Sequence, residues 1–512
     1  MNKIKAIRAY HQRTKHQFGA YARGPEYLDW DNQPAPFRRF SGAEVTPLTL
    51  ASDSNDQTSQ MNFNGISKLL ELSMGISAWK AFGPDTWALR CNPSSGNLHP
   101  TEAYVVSHQI EGLNDGVYHY APKEHALELR AQLDTQDNSP FCLIGLSSIV
   151  WREAWKYGER AYRYVQLDIG HALGAIRYAA ATLGWSITIL PVGDSAISAL
   201  LGLSHENSFI DAEPELPDLL LQIFPEETLQ LKELPKAIHW QGLANALGGD
   251  PYLNWPVLDE AHKACHEDQM PALVSASIAN IRKAPPENLT KLIRQRRSAQ
   301  SFIGKQSTLS LSAFETFLRQ LIPSSDLLPW DVWRYPPRIH LVIFIHRVEG
   351  LEPGLYSLPR QAEALSSMQT AMRNDFEWAA TAITDETLPL YRLLEGDMRK
   401  VARSLSCHQE IASASSFSFG MLAEFDKALE QGASAYRHMH WEAGLLGQVA
   451  YLAAEDIGIR GTGIGCFFDD SVHLTLGIED SQWQSLYHFT VGYPRIDSRI
   501  QTLPPYAHLD SE

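Results

Sequence analysis

Glu111-Gly-Leu-Asn-Asp-Gly-Val-Tyr118 recurs further along the chain as Glu349-Gly-Leu-Glu-Pro-Gly-Leu-Tyr356. Each copy follows an apolar run, Ala103-Tyr-Val-Val-Ser-His108 and Leu341-Val-Ile-Phe-Ile-His346, at the same spacing, so that His108 falls on His346. An apolar run closed by a Gly-containing turn reads as a strand entering a hairpin. Further out, Ala161-Tyr-Arg163 returns as Ala435-Tyr-Arg437. With no gap, Gly170 then falls on Gly444, Ala179-Ala180 on Ala453-Ala454 and Gly184 on Gly458. Both stretches read as one long helix with small residues on a face, stopped by glycine. Asp194 through Gly202-Leu203 matches Asp469 through Gly477-Ile478, and the strand-like runs Leu219–Pro225 and Leu486–Pro494 close each copy. Matches that keep their order mark a duplication. Each half runs helix, Gly/Pro loop, strand and hairpin, long helix, final strand. Without strict βαβ alternation, this predicts an α+β fold of two tandem domains. The halves are expected at 1–225 and 288–512. The connector between them, 226–287, is rich in turn signals (Gly-Gly-Asp-Pro, Ala-Pro-Pro-Glu), and its Glu260–Arg282 portion can form helix.

The 512-residue chain carries 43 Lys and Arg against 59 Asp and Glu, a formal charge of −16, which disfavours nucleic acid as a partner. No apolar stretch is long enough to span a bilayer, and Met1-Asn-Lys-Ile-Lys-Ala-Ile-Arg8 lacks the apolar run of a signal peptide. Cys91, Cys142, Cys265, Cys407 and Cys466 form no Cys-x-x-Cys pair. The expectation is a cytoplasmic protein without a disulfide framework or a zinc ribbon. His438 and His440 fall on different helix faces, and neither His-Glu-x-x-His nor Gly-x-Ser-x-Gly occurs, so no metal is expected.

A fused duplicate behaves as a dimer whose two surfaces are free to diverge. The divergence is visible in two half-sites. In the first copy, Arg90-Cys-Asn-Pro-Ser-Ser-Gly-Asn-Leu-His-Pro-Thr-Glu102 forces a tight loop. Its hydroxyl and amide groups suit a flat polar ring edge, and Gly96 permits close backbone approach. The second copy has Asp331-Val-Trp-Arg-Tyr-Pro-Pro-Arg-Ile-His340 there instead. In the second copy, Arg294-Gln-Arg-Arg-Ser-Ala-Gln-Ser-Phe302 sets three arginines at a helix end, where forked donors match phosphate oxygens. The first copy keeps only Pro36-Phe-Arg-Arg-Phe40. Gly458-Ile-Arg-Gly-Thr-Gly-Ile-Gly-Cys-Phe467 follows a helix and has the wrong glycine spacing for a dinucleotide fingerprint. It reads as a loop whose backbone N–H groups face a ligand. Arg495 and Arg499 are further phosphate candidates.

These segments resemble the nitroreductase superfamily, with its N-terminal Arg-Arg-Ser, its Pro-Ser-Ser-Gly-Asn loop and its glycine loop after the central helix. The resemblance implies an intramolecular pseudo-dimer binding FMN between its halves. It would place Arg296, Arg297, Ser298 and Arg499 at the phosphate and ribityl end. Pro93, Ser94, Ser95 and Asn97 would reach the isoalloxazine from the other half, with Gly463, Ile464 and Gly465 beside N5. Gln300 stands where the superfamily carries Arg or Lys, which weakens one contact. Tyr10-His-Gln-Arg-Thr-Lys15, Leu98–Tyr104, Lys156–Arg163 and Asp168-Ile-Gly-His171 resemble the azoline-dehydrogenase (SagB/ThcOx-type) branch. There a Lys-Tyr pair is tied to proton removal, which points to Lys156 and Tyr157. The second copy has Glu430-Gln431 at that place. By spacing alone, Lys156 could instead pair with Glu153 or Glu159.

The expected function is therefore FMN-dependent oxidation of a C–C or C–N bond in a small-molecule or peptide-derived substrate, by hydride transfer to N5. An NAD(P)H-dependent nitro or quinone reductase and a non-catalytic flavin-binding scaffold are the alternatives. One FMN per chain and no membrane partner are expected, and a monomer is possible because the pseudo-dimer lies within one chain.

Overall fold

The computed structural model describes residues 2–51, 60–136, 139–225, 231, 233–248, 255–268, 287–306, 308–324 and 327–509. Two antiparallel sheets carry the duplication. In the first, the strands run Ala126–Asp134, Gly116–Ala121, Thr101–His108, Phe141–Ser148, Leu216–Phe224, Ser186–Ile189 across the sheet. The second repeats that order with Tyr391–Glu395, Gly354–Leu358, Ile339–Ile345, Phe417–Glu424, Trp483–Gly492, Arg460–Ile464. The quoted octapeptides are the hairpin turns between matching strands, as their Gly/Asn/Pro chemistry requires.

The two long helices, Ala161–Thr182 and Ala435–Asp456, are each 22 residues long and pack against one another along their length. Glycine sets how close they come. A Cβ on Gly170 would lie 2.1 Å from the Trp441 carbonyl oxygen, and one on Gly444 would lie 2.0 Å from that of Leu167. The matched glycines are therefore each other's contact, and any larger residue would push the halves apart.

A second symmetric device locks this seam. Arg163 donates to Asp469 at 2.8 Å, and its counterpart Arg437 donates to both oxygens of Asp194 at 3.0 Å. Each arginine comes from one half and each aspartate from the other, and all four are buried. Burial alone would raise the Asp469 carboxyl, but Arg160 and Arg163 hold it down at about 2.

The termini cross over as well. Helix Lys3–Arg13 carries Arg8 to Asp426, while Lys15 donates to Asp470 at 2.8 Å and the His16 N–H to Asp469 at 2.9 Å. At the other end, strand Gln501–Leu503 adds to Ile76–Phe82 of the first half, and the Tyr506 hydroxyl accepts from the Ile76 N–H at 2.9 Å. The described part of the connector pads the first half. Lys236–Ile238 pairs with Ala126–Asp134, and helix Pro256–Cys265 packs on Lys3–Arg13. The helix expected over Glu260–Arg282 is seen as far as Cys265; residues 269–286 lie outside the described residues.

Candidate functional site

At the seam lies a cavity of about 480 Å³ walled by both halves. The first half contributes Pro93, Ser94, Ser95, Gly96 and Asn97, together with Tyr157, Tyr164, Asp168 and His171. From the second half come Arg296, Arg297, Ser298, Gln300, Gly463, Ile464 and Gly465. The two divergent half-sites thus face one space. Arg499 does not line it. Its guanidinium is paired with Asp497 at 2.7 Å and lies over the Phe82 ring, while Arg495, Arg460 and Lys80 stand on the wall instead. Lys156 lies one layer behind the wall.

The Ser-Ser-Gly-Asn turn is held from beneath. Gly96 and Asn97 both take left-handed backbone (φ 62° and 60°), the conformation Gly and Asn tolerate best. The Ser95 N–H and hydroxyl each donate to Asp168 at 3.2 Å, and the Ser94 hydroxyl accepts from the His99 N–H at 2.8 Å. Burial raises the Asp168 carboxyl to about 7, against the lowering effect of these serine hydrogen bonds. A Cβ on Gly96 would meet the Tyr157 hydroxyl at 2.6 Å and Lys156 Nζ at 3.2 Å, so the heads of both side chains sit directly under the turn.

Lys156 and Tyr157 end the short helix Val150–Tyr157. Glu153, one turn earlier, is fully buried, and neither of its carboxyl oxygens has a hydrogen-bond partner among the described residues. Burial, reinforced by Asp168, pushes its carboxyl well above the ordinary range. Burial and then Glu153 likewise push the Tyr157 phenol up, so it stands as a hydroxyl donor. Glu159 is occupied elsewhere, by Arg13 at 2.7 Å.

Positive charge gathers at the other end of the cavity. Arg296 is 3% exposed; it donates to the Arg90 carbonyl at 2.8 Å, and its Nε has no partner among the described residues. Burial, then Arg296 and Arg460, lower the Arg297 guanidinium to about 10. Lys80 is lowered by burial, Arg297 and Arg460. Glu455 stands 3.4 Å from Arg460, and Asp497 on the same wall is taken by Arg499. Cations gathered beside open space in this way are of a kind an anion would relieve. Ser298 shares a hydrogen bond of 2.9 Å with the Tyr451 hydroxyl, which also accepts from the Gly463 N–H at 3.0 Å.

The Gly458–Phe467 segment departs from its expected form. Arg460–Ile464 is the edge strand of the second sheet, paired with Trp483–Gly492, and not a free loop. Small residues are required there for packing: a Cβ on Gly463 would lie 1.8 Å from the Tyr487 hydroxyl, and one on Gly465 would meet Tyr164 at 2.3 Å. Tyr451, Tyr487, Arg460 and Lys80 were not anticipated from sequence. They sit on helix and strand faces whose direction depends on how the halves dock.

At the opposite end of the seam the matching carboxylates are taken up by protein partners. Asp331, in the second copy's version of the serine loop, is gripped by Arg177, with Nε at 3.0 Å and Nη2 at 2.6 Å. Glu442, which matches Asp168, accepts from Arg360 at 2.6 Å and from the Arg338 N–H at 2.7 Å. His438 stacks on Tyr335 with ring centres 4.5 Å apart.

Two duplicated α+β halves, joined through their longest helices around one polar-walled cavity, define a tandem oxidoreductase of the nitroreductase type. Residues 66–210 and 293–493 match the Nitroreductase family, and the chain belongs to that family. Over 147 residues it is 31% identical to the trifolitoxin-processing protein TfxB of Rhizobium leguminosarum bv. trifolii, covering 22% of this chain and 39% of the relative. Over 130 residues it is 33% identical to TfxF of the same organism, covering 24% of this chain and 45% of the relative. The chain thus spans less than half the length of these two relatives. A crystal structure of an Anabaena variabilis protein assigned to the nitroreductases covers 96% of this chain and 99% of its own at 24% identity, with a TM-score of 0.69. Among the described residues no helix is long and apolar enough to cross a membrane.

Proposed function

We propose that this nitroreductase-family oxidoreductase is an FMN-dependent dehydrogenase that oxidises a C–C or C–N bond in a small-molecule or peptide-derived substrate. One observation carries the reading: Arg296, Arg297 and Ser298 of the second half and the Pro93–Asn97 turn of the first wall a single cavity, with Tyr157 beside that turn. The resemblance of the Lys156-Tyr157 pair and the similarity to trifolitoxin-processing proteins both support a dehydrogenase over a reductase.

The residues present fit FMN. The cationic cluster with its idle Arg296 Nε suits a phosphate, and the polar turn suits a ring edge. Arg296, Arg297, Arg460 and Lys80 would hold the phosphate end, with Arg495 in the place expected for Arg499. Ser298 and Gln300 would face the ribityl chain. Ser94, Ser95 and Asn97 would face the ring from the other half, with Gly463, Ile464 and Gly465 alongside. When bound, FMN supplies the two-electron acceptor. The Tyr157 hydroxyl and Lys156 Nζ lie together under Gly96, where the pair would handle the proton released from a substrate C–H or N–H. Asp168, on the same wall and raised to about 7, can hold the proton the pair passes on.

The test is to purify the chain, release its cofactor and count flavin. One FMN per chain is expected. Two per chain would defeat the half-site reading, and none would favour a scaffold. Rapid flavin reduction by NAD(P)H with no other substrate would favour a reductase.

A further inference from the structure

Two of the five cysteines meet at the rim of the cavity. Cys466 stands two residues past the strand Arg460–Ile464 and lines the cavity beside Gly465. Cys407 follows the helix Arg399–Leu405. Two ties hold these segments side by side: the Phe468 N–H donates to the Leu405 carbonyl at 2.8 Å, and Gln409 Nε2 donates to the Cys466 carbonyl at 3.2 Å. Between the ties the Cys407 and Cys466 sulfurs are hydrogen-bonded to one another. The first half closes over the pair, with the His16 ring bonded to Cys466 and the Tyr21 hydroxyl to Cys407. His16 Nδ1 accepts from the Ala22 N–H at 2.9 Å, so a neutral ring carries its hydrogen on Nε2, a donor for the Cys466 sulfur. Cys407 and His408 both take left-handed backbone (φ 51° and 59°), which residues with a Cβ adopt at a cost and which clusters where function requires it. Both thiols are partly exposed, whereas Cys91, Cys142 and Cys265 are buried and pushed up to about 12 by burial, the state of inert core cysteines. The Cys407 hydrogen bond, opposed by burial, and then His16 and Arg160 hold the Cys466 thiol below its ordinary range, while the same contact and burial raise Cys407. One sulfur is thus poised as a thiolate and the other keeps its proton.

We propose that Cys466 and Cys407 form a thiol–disulfide exchange site for small-molecule disulfides of the glutathione type, with Cys466 the attacking thiol and Cys407 the resolving one. The Cys466 thiolate attacks one sulfur of R–S–S–R; that bond breaks, a Cys466–S–S–R mixed disulfide forms, and RS⁻ leaves. Cys407 gives up its proton to the departed RS⁻ and attacks the Cys466 sulfur, expelling the second RS⁻, which takes a proton from water. The two protein thiols are oxidised to one disulfide, and the small disulfide is reduced to two RSH. Gln409 and Gly465 both line the cavity, one on each of the joined segments. The new bond therefore ties two parts of the wall together covalently, and the wall registers the thiol state of its surroundings.

The experiment treats the full chain, as purified, with excess glutathione disulfide, blocks the remaining thiols and maps the digest by mass spectrometry. The expected product is a single cross-linked peptide pair joining Cys407 to Cys466, reversed by dithiothreitol, with Cys91, Cys142 and Cys265 still free. Cys407→Ser is expected to retain a lasting glutathione adduct on Cys466. Cys466→Ser is expected to lower modification of Cys407 about tenfold or more relative to that of Cys466 in Cys407→Ser. No cross-link, a mixed disulfide that persists in the wild-type chain, or equal adducts in the two variants would each overturn the proposal. Should a serine variant fail to fold, the wild-type chain decides by itself: the Cys407–Cys466 link is expected from the folded protein alone, and the same mixture of disulfides from folded and urea-unfolded chain defeats it. No step involves flavin, so the result stands whatever the flavin count shows.

Discussion

The two ends of the seam began as copies of one another and now do opposite things. At the open end Asp168 accepts, among the described residues, from the Ser95 turn, and cations gather around open space. At the opposite end the matching Glu442 is held by Arg360 and two backbone N–H groups, and Asp331 is clamped by Arg177. The difference teaches that polar content alone does not make a site. Both ends are rich in buried charge, but at one of them the Asp331 and Glu442 carboxylates are each held by an arginine, and at the other Arg296, Arg297, Arg460 and Lys80 line open space. Meanwhile the devices that hold the halves together, Gly170 on Gly444 and the exchanged Arg-Asp pairs, stay symmetric.

The largest expected break between the ends is catalytic. Lys156→Ala and Tyr157→Phe should each lower kcat by about 10²–10⁴-fold with flavin content unchanged. Glu430→Ala and Gln431→Ala, the matching positions at the opposite end, should change kcat by less than about twofold. Steady-state kinetics with cofactor quantification checks both, and equal losses at the two ends would erase the distinction.

The symmetric devices should fail symmetrically. Asp194→Asn and Asp469→Asn each leave a buried arginine without its counter-ion and should cost about 3–5 kcal/mol in urea unfolding. A large loss from one and none from the other would show that only one half depends on the seam.

Flavin retention should follow the half-sites. Arg297→Ala is expected to weaken FMN binding by about 10–100-fold, the scale of a lost charge-assisted hydrogen bond. Arg39→Ala, from the first copy's Pro36–Phe40 segment, should leave FMN binding alone, because Arg39 pairs with Glu128 at 2.6 Å and takes no part in the cavity wall. Equilibrium dialysis against FMN reads this directly.

The smallest effect concerns pH. With its carboxyl raised to about 7, Asp168 binds its proton more tightly folded than unfolded. It therefore stabilises the chain fully below the ordinary carboxylate range, and that contribution is lost as pH rises through about 7. In flavin-free protein the stability difference between wild type and Asp168→Asn should shift by about 1–2 kcal/mol between pH 4 and pH 8. The adjoining cavity admits water and trims the full linkage value. A flat difference across that range would place the carboxyl outside the buried environment described.

The duplication was legible because its markers are obligatory. Gly170, Gly444, Gly202 and Gly477 are where helices touch or end, and no other residue fits there without cost. The site's loop was legible for the same reason, through Gly96 and its serines. What stayed hidden depends on docking. Arg163 and Asp469 were both visible as repeated residues, yet only the fold shows that each pairs across the seam with the other copy's partner. Tyr451 and Tyr487 look like core aromatics until the halves are joined. Arg499 looked like a phosphate ligand, but Asp497, two residues earlier, takes its guanidinium. The glycine-rich stretch read as a loop because its pairing partner lies on a later strand.

The crossing of the chain's ends has a consequence for dilution. Lys3–Arg13 and Gln501–Leu503 each fasten one half onto the other within a single polypeptide. A two-chain version of this seam would come apart as protein concentration falls, and its half-sites would part with it. Here the partner is always present at the effective concentration set by the tether. Assembly of the cavity should therefore be indifferent to how few molecules a cell holds.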